Sequence, residues 1–400
     1  MNKKFYFALA LTAVITLVVA SLGVSPLSSS AAEQPVRKIV VFKPGVLSDS
    51  ARENLISKFG GAKIKNLDLI GAKAVYLPPK AEAALARQAG VLRIDDDVVV
   101  EALIRGGIAA KPTPTQPSEV LPWGVNRIDA DLVWGTTTGD PIKVAIVDTG
   151  IDVKHPDLID NLKGGVSAVG YTSSYNDDNG HGTHVAGIAA AIDNEIGVIG
   201  VGPKIDLYAV KVLNRRGSGY LSDVIEGLDW AISNGMQVVN MSLGTASNVL
   251  LFQEAVQRVN AAGIVQVAAA GNNYGAVIYP AAYSEVIAVS ATDSSDAIAS
   301  WSSRGPEIDL AAPGVSIYST YKGQTYKTLS GTSMAAPHVA GTAALVLNSA
   351  ISNYDLDGDG IWDPIEVQNK LQDRATDLGT TGFDNLYGWG LVNAAAAVAQ

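Results

Sequence analysis

Lys143-Val-Ala-Ile-Val-Asp148-Thr-Gly150 is an apolar run without alternation that ends in a carboxylate and a glycine. A short continuous run of this kind fits a strand buried on both faces, as parallel sheets require. Comparable runs recur at residues 206–212, 237–241, 264–269 and 286–290. Helical periodicity fills residues 182–191, 222–233 and 249–262 between them. The alternation predicts an α/β domain over residues 121–400, a mostly parallel sheet with helices on both faces. Ligands of such sheets bind beyond the carboxyl ends of the strands, where Asp148 falls.

Upstream, residues 33–103 read as strand 37–43, helix 48–59, strands 62–69 and 72–77, helix 79–89 and strand 91–100. That β-α-β-β-α-β order predicts a small α+β, ferredoxin-like unit. A linker over residues 104–120 follows, its Gly106-Gly107 and Lys111-Pro-Thr-Pro114 segments opposing regular structure. Residues 1–32 carry Lys3 and Lys4 before an apolar run and small residues at Ser30-Ala-Ala32, a secretory signal pattern. The apolar run approaches spanning length, so an uncleaved membrane anchor is the alternative.

The 400 residues exceed one ordinary domain, and 48% hydrophobic with 17% charged residues excludes a disordered chain. Absence of cysteine excludes thiol catalysis, disulfides and thiolate metal sites. Four histidines without an HExxH pattern leave no basis for a catalytic zinc. The net charge of −10 is uneven: residues 33–103 carry +2 and residues 104–400 carry −14. The acidic part argues against nucleic-acid partners and suits bound cations.

Three motifs supply a nucleophile, a base and a carboxylate to orient it. Asp148 ends the quoted strand; Asn179-Gly-His181-Gly-Thr-His184 puts a histidine at a glycine-flanked helix start; Gly331-Thr-Ser333-Met-Ala-Ala-Pro337 puts a serine at another. Alone, the aspartate could be a turn residue and the serine an N-cap. The order Asp, His, Ser is the one subtilisins use.

On these residues the chain resembles the subtilisin-like serine proteases from about Leu121 onward. The resemblance implies that Asp148 orients the imidazole, His181 is general base then acid, and Ser333 is acylated. It implies that Asn272 donates its amide to the oxyanion beside the Ser333 N–H. It makes Gly217-Ser218-Gly219 and Ser242-Leu243-Gly244 edges that pair with an extended polypeptide substrate. Ala269, Ala270 and Gly271 would wall the primary pocket, and Ile278 would narrow it where relatives carry a small residue. Residues 33–103 would be a propeptide, chaperone and inhibitor of its own enzyme, cut after Leu103 or within the linker up to Gln116. His155, His184 and His338 read as structural.

The same resemblance implies a calcium site in which Asp157 gives a carboxylate, Asn194 its side chain, and Ile192, Ile196 and Val198 their carbonyls, with Glu119 as a further ligand. Spacing alone points to a second site. Asp355-Leu-Asp357-Gly-Asp359-Gly-Ile361-Trp-Asp363-Pro-Ile-Glu366 reproduces a 12-residue EF-hand loop. Carboxylates hold positions 1, 3, 5, 9 and 12, glycine holds position 6, and the Ile361 carbonyl position 7. Helical patterns over 333–350 and 364–375 flank it. The expected product is a secreted, monomeric, calcium-dependent serine endopeptidase without nucleic-acid or stable membrane partners. A scaffold without chemistry, or an esterase or peptide ligase, are the rival readings.

Overall fold

The structure, a computed structural model, describes residues 34–104 and 116–399; the expected signal segment at 1–32 and linker residues 105–115 lie outside the described residues. In the N-terminal lobe, β1 (Val36–Phe42), α1 (Asp49–Lys58), β2 (Ala62–Leu67), β3 (Ala72–Leu77), α2 (Pro79–Ala86) and β4 (Val91–Asp96) follow the expected order. The strands form an antiparallel sheet ordered β2-β3-β1-β4. Side chains alternate along β1 with the strand period of two. Val40 and Phe42 pack with Ile56, Leu77 and Leu85 beneath the two helices. Ile39 and Val41 face the opposite way, into a core shared with Leu228, Phe252 and Val256 of the C-terminal lobe.

The expected strand over 91–100 is two strands. β4 stops at Asp96, and β5 (Val99–Ala102) joins another sheet. The break is at Asp97, buried, whose carboxylate accepts the N–H and hydroxyl of Ser222, both at 2.9 Å, and the Arg37 guanidinium at 2.8 Å. Asp97 thereby caps a helix of the other lobe, and the chain turns off its own sheet.

In the C-terminal lobe, α3 (Trp123–Arg127) leads to β6 (Lys143–Asp148), β7 (Leu162–Ser167) and α4 (His181–Ala190). Next come β8 (Asp206–Lys211), β9 (Ser218–Tyr220), α5 (Leu221–Ser233), β10 (Val238–Met241), β11 (Leu243–Gly244) and α6 (Leu250–Ala261). The chain continues through β12 (Val265–Ala269), β13 (Ile287–Thr292), β14 (Leu310–Pro313), the hairpin β15 (Ile317–Tyr321) and β16 (Thr325–Leu329), α7 (Thr332–Leu347), α8 (Pro364–Asp373) and α9 (Ala394–Val398). Seven strands in the order β14-β13-β12-β10-β6-β8-β7 form a sheet whose neighbours are all parallel. The α4 and α7 side chains belong to the core on one face, those of α5 and α6 to the core on the other. The strand order reverses between β6 and β10, the crevice where ligands of such sheets bind.

Two strands of this sheet, and the β15–β16 hairpin, were not anticipated. β7 is Leu-Lys-Gly-Gly-Val-Ser, and a Cβ at Gly165 would stand 2.2 Å from the Ala209 carbonyl of β8. β14 is short and ends in proline, as an edge strand tolerates. α7 is buried from Thr332 to Val346, the state of a helix apolar on all sides.

Candidate active site

Asp148, His181 and Ser333 come from the end of β6, the first turn of α4 and the first turn of α7, and all three are fully buried. His181 Nδ1 lies 2.7 and 2.8 Å from the two Asp148 oxygens, which fixes the imidazole. Asp148 Oδ1 also accepts the Thr149 N–H at 2.6 Å. Among the described residues His181 Nε2 has no hydrogen-bond partner. The Ser333 hydroxyl donates to the Ser242 carbonyl at 2.9 Å.

Pro337 stands four residues after Ser333 and lacks the N–H that would bond the Ser333 carbonyl within the helix. The Ser242 hydroxyl donates to that carbonyl instead, at 2.9 Å, and itself accepts the Asn240 amide at 2.9 Å. The β10 end is thus bonded to the first turn of α7 on both sides of the serine.

Asn272 follows β12. Its Oδ1 accepts the N–H and hydroxyl of Thr332, both at 2.9 Å, which assigns the amide orientation. Its Nδ2 therefore points into the cleft, where it donates to the Leu103 carbonyl at 2.6 Å. A Cβ at position 331 would stand 2.5 Å from that same carbonyl, so only glycine admits the chain there.

β5 lies between β11 and β9 as the middle strand of a three-stranded antiparallel sheet. Glu101 pairs with Ser218 and Val100 with Gly219; Ala102 pairs with Leu243 and Glu101 with Gly244. The Ala102 N–H donates to the Gly217 carbonyl at 2.8 Å, and the Leu103 N–H to the Ser242 carbonyl at 3.3 Å. Both expected edges thus clasp one extended segment, which belongs to this chain. Val100 is fully buried, whereas Val99 is half exposed. Ala269 and Ala270 are buried at the strand end. The Ile278 N–H donates to the Ala270 carbonyl at 3.0 Å, and its side chain fills the space a Cβ at Gly244 would need, while Ser303 Oγ would stand 2.6 Å from one at Gly271.

The other histidines hold backbone. His155 Nε2 lies 3.0 Å from the Thr325 carbonyl, and His184 Nε2 2.9 and 3.1 Å from the Lys327 and Ile317 carbonyls, tying α4 to the β15–β16 hairpin. His338 Nδ1 lies 2.8 Å from the Met334 carbonyl. Burial pulls the pKa of His184 down to about 3 and that of His338 to about 4, so both are neutral at pH 7.

The residues expected to hold calcium fall into the two expected groups. In the first, Asp157 is fully buried and accepts the Asn194 amide and the Val198 N–H, both at 2.9 Å, while Glu119 accepts the Asn194 N–H at 2.7 Å. Burial pushes Asp157 up to about 6, with the Glu119 charge adding to the rise. Among the described residues the carbonyls of Ile192, Ile196 and Val198 accept no hydrogen bond. Three free carbonyls beside a desolvated carboxylate fit a hard cation. Asn194 Oδ1 accepts the Ile196 N–H at 2.8 Å, so only its second lone pair is left for an ion.

In the second, ligand oxygens of Asp355, Asp357 and Asp359 lie within 4.8 Å of one another. Backbone N–H groups of Gly358 and Gly360 hold Asp355 at 2.7 and 3.1 Å, and the Ile361 N–H holds Asp359 at 2.7 Å. Gly360 has φ 75°, the sharp turn expected at position 6. Asp363 and Glu366 form a capping box on α8, and Glu366 also accepts the Leu356 N–H at 2.6 Å. This donor set fits calcium as well. The incoming arm differs from expectation, because α7 ends at Leu347 and only a 3₁₀ turn at Ser352–Tyr354 precedes Asp355. Trp362 anchors the loop, its indole N–H on the Ser349 carbonyl at 3.0 Å.

Sequence reasoning missed Asp97 and Asp177. Asp177 accepts the N–H groups of Asn179, Gly180 and Thr183 at 2.8–3.0 Å and so caps the α4 start. An aspartate four residues before His181 was the available signal.

The subtilase family model matches residues 139–390. Subtilisin J of Geobacillus stearothermophilus is 40% identical over 407 aligned residues, 99% of each chain. An alkaline protease of Shouchella clausii is 43% identical over 84% of this chain and 81% of its own. Subtilisin Savinase of Lederbergia lenta is 48% identical over 70% of this chain and 99% of its own. The shared sequence and the seven-stranded parallel sheet lead to one conclusion: the chain belongs to the subtilase family and is a subtilisin-like serine endopeptidase.

Proposed function

We propose that this chain is the precursor of a secreted, calcium-dependent endopeptidase that cuts itself after Leu103, with Asp148, His181 and Ser333 as its triad. The observation that carries the reading is the 2.6 Å bond from Asn272 Nδ2 to the Leu103 carbonyl, made while β5 is paired on both edges of the cleft. A scissile carbonyl needs that placement. His181 Nε2 is free to take the Ser333 proton once the hydroxyl turns from the Ser242 carbonyl. The alkoxide attacks the Leu103 carbonyl carbon, and the oxyanion is held by Asn272 and the Ser333 N–H at the α7 start. Imidazolium, stabilised by Asp148, returns the proton to the leaving Ile104 amine. Water repeats the sequence on the acyl-enzyme.

Residues 33–103 act as propeptide: after the cut β5 stays paired, so the product blocks the cleft as an inhibitor. Lys65 with Asp223 and Glu226, and Arg93 with Glu254 at 2.7 Å, add charge complementarity between the lobes. Residues 1–32 direct export. Calcium supplies charge neutralisation at two structural sites, one held by Asp157, Asn194, Glu119 and the carbonyls of Ile192, Ile196 and Val198. The other is held by Asp355, Asp357, Asp359, Ile361, Asp363 and Glu366. The mature enzyme acts as a monomer on extended polypeptides.

A serine-directed fluorophosphonate tests the nucleophile. The mature enzyme should label at Ser333 and digest casein faster than it hydrolyses small esters. Labelling that persists in Ser333→Ala would reject the assignment.

A further inference from the structure

The carboxylate and the imidazole of the site come from different elements, β6 and α4, so their 2.7 Å approach depends on what ties those elements together. Beside the direct bonds from Gly182 N–H to the Thr149 hydroxyl and from Asp152 N–H to the Thr183 hydroxyl, one tie is a third carboxylate. Asp177 is 4% exposed and accepts five hydrogen bonds. Three come from backbone N–H groups around His181, those of Asn179, Gly180 and Thr183. One comes from the Thr183 hydroxyl at 2.6 Å and one from the Thr149 hydroxyl at 2.9 Å. The Thr149 hydroxyl in turn accepts the Gly182 N–H at 2.9 Å, while the Thr149 N–H donates to Asp148.

One hydroxyl and one carboxylate therefore connect the residue after Asp148 to the residues on both sides of His181. The backbone leaves no slack around this link. A Cβ at Gly182 would stand 2.2 Å from the Gly150 carbonyl, and one at Gly150 2.3 Å from the Tyr175 carbonyl. Burial raises the Asp177 pKa, and the Thr183 hydroxyl with the N–H groups of Gly180, Thr183 and Asn179 opposes the rise. Only the carboxylate accepts all five, since a carboxylic acid would turn an O–H toward one of the donors.

We propose that Asp177, acting through Thr149, is a positioning residue for the reaction: it sets the approach of Asp148 to His181 without touching substrate. The proposal rests on the triad reading above. A misplacement of about 1 Å at a reacting centre can cost ~10²-fold in rate. Asp177→Asn keeps the shape but faces N–H donors with an NH₂ group. Thr149→Val keeps the volume and deletes the linking hydroxyl; Thr149→Ser restores it.

The full chains are matured by immobilised wild-type enzyme, which is then removed. Asp177→Asn and Thr149→Val should each lower kcat roughly 10- to 100-fold with KM changed less than about twofold. Thr149→Ser should stay near wild type, and the double variant Asp177→Asn with Thr149→Val should be no worse than the weaker single, since both break one path. In the Ser333→Ala precursor, the far-downfield proton resonance of His181 Nδ1 should move or broaden on Asp177→Asn. Should Asp177→Asn fail to fold, Thr149→Val decides alone. Full activity in Thr149→Val, equal damage in Thr149→Ser, or an unmoved resonance would overturn the proposal. Failure of the triad reading has a different mark, a Ser333→Ala enzyme that still cleaves peptides.

Discussion

The proposed catalytic pocket and the acidic loop at 355–366 are both written in short motifs, yet they are built by opposite means. Asp148, His181 and Ser333 are distant in sequence, fully buried, and tied across elements, His181 to Asp148 and Ser333 to Ser242. In the loop the bonds that hold Asp355 and Asp359 come from N–H groups two to five residues away, and Asp357 and Asp359 are exposed. The pocket is complete without an ion. The loop keeps its carboxylates gathered against their own repulsion and gains from a cation. Damage to the first should therefore appear in rate, and damage to the second in stability.

Asn272→Ala removes the amide on the Leu103 carbonyl and should lower kcat by ~10²–10³, the loss established for such a donor in a subtilisin, with little change in melting temperature. A comparable loss of thermal stability would break the contrast. In the loop, Asp355→Ala with Asp359→Ala should release about one calcium per molecule by titration. At a hundredfold excess over Kd an ion contributes ~2.7 kcal/mol, or roughly 4 °C in melting temperature for a domain of this size. Turnover of a small peptide at 25 °C should not change. An unaltered calcium stoichiometry would remove this site. Ile278→Gly has the smallest effect, opening the pocket and shifting preference toward Phe and Tyr by about tenfold, worth ~1.4 kcal/mol. A peptide panel that shows no shift would take Ile278 out of the pocket wall.

The parallel sheet was legible because strands buried on both faces read as continuous apolar runs, as at 143–147. β7 escaped because its glycines carry no apolar signal; Gly165 is there for backbone approach to β8. β1 held an unused clue. Ile39-Val-Val-Phe42 lacks the alternation of a half-exposed strand because its second face is covered by the other lobe. The motifs named the pocket residues, but not the carboxylates that support them. Asp97 and Asp177 act on backbone N–H groups, and a cap on a segment distant in sequence, as Asp97 makes on Ser222, leaves no periodic trace. The turn at Gly360 and the gathering of Asp355, Asp357 and Asp359 were legible because that geometry is local, whereas the missing incoming helix was not, since α7 stops where it leaves the core at Leu347.

If the bond after Leu103 is the enzyme's first substrate, intact mass and N-terminal sequencing of purified protein will reveal it. Wild-type chain should yield a fragment beginning at Ile104, while Ser333→Ala stays a single uncut polypeptide under the same conditions. A Ser333→Ala chain that matures unaided in purified form, or a wild-type cut that leaves the Leu103–Ile104 bond intact, would contradict it.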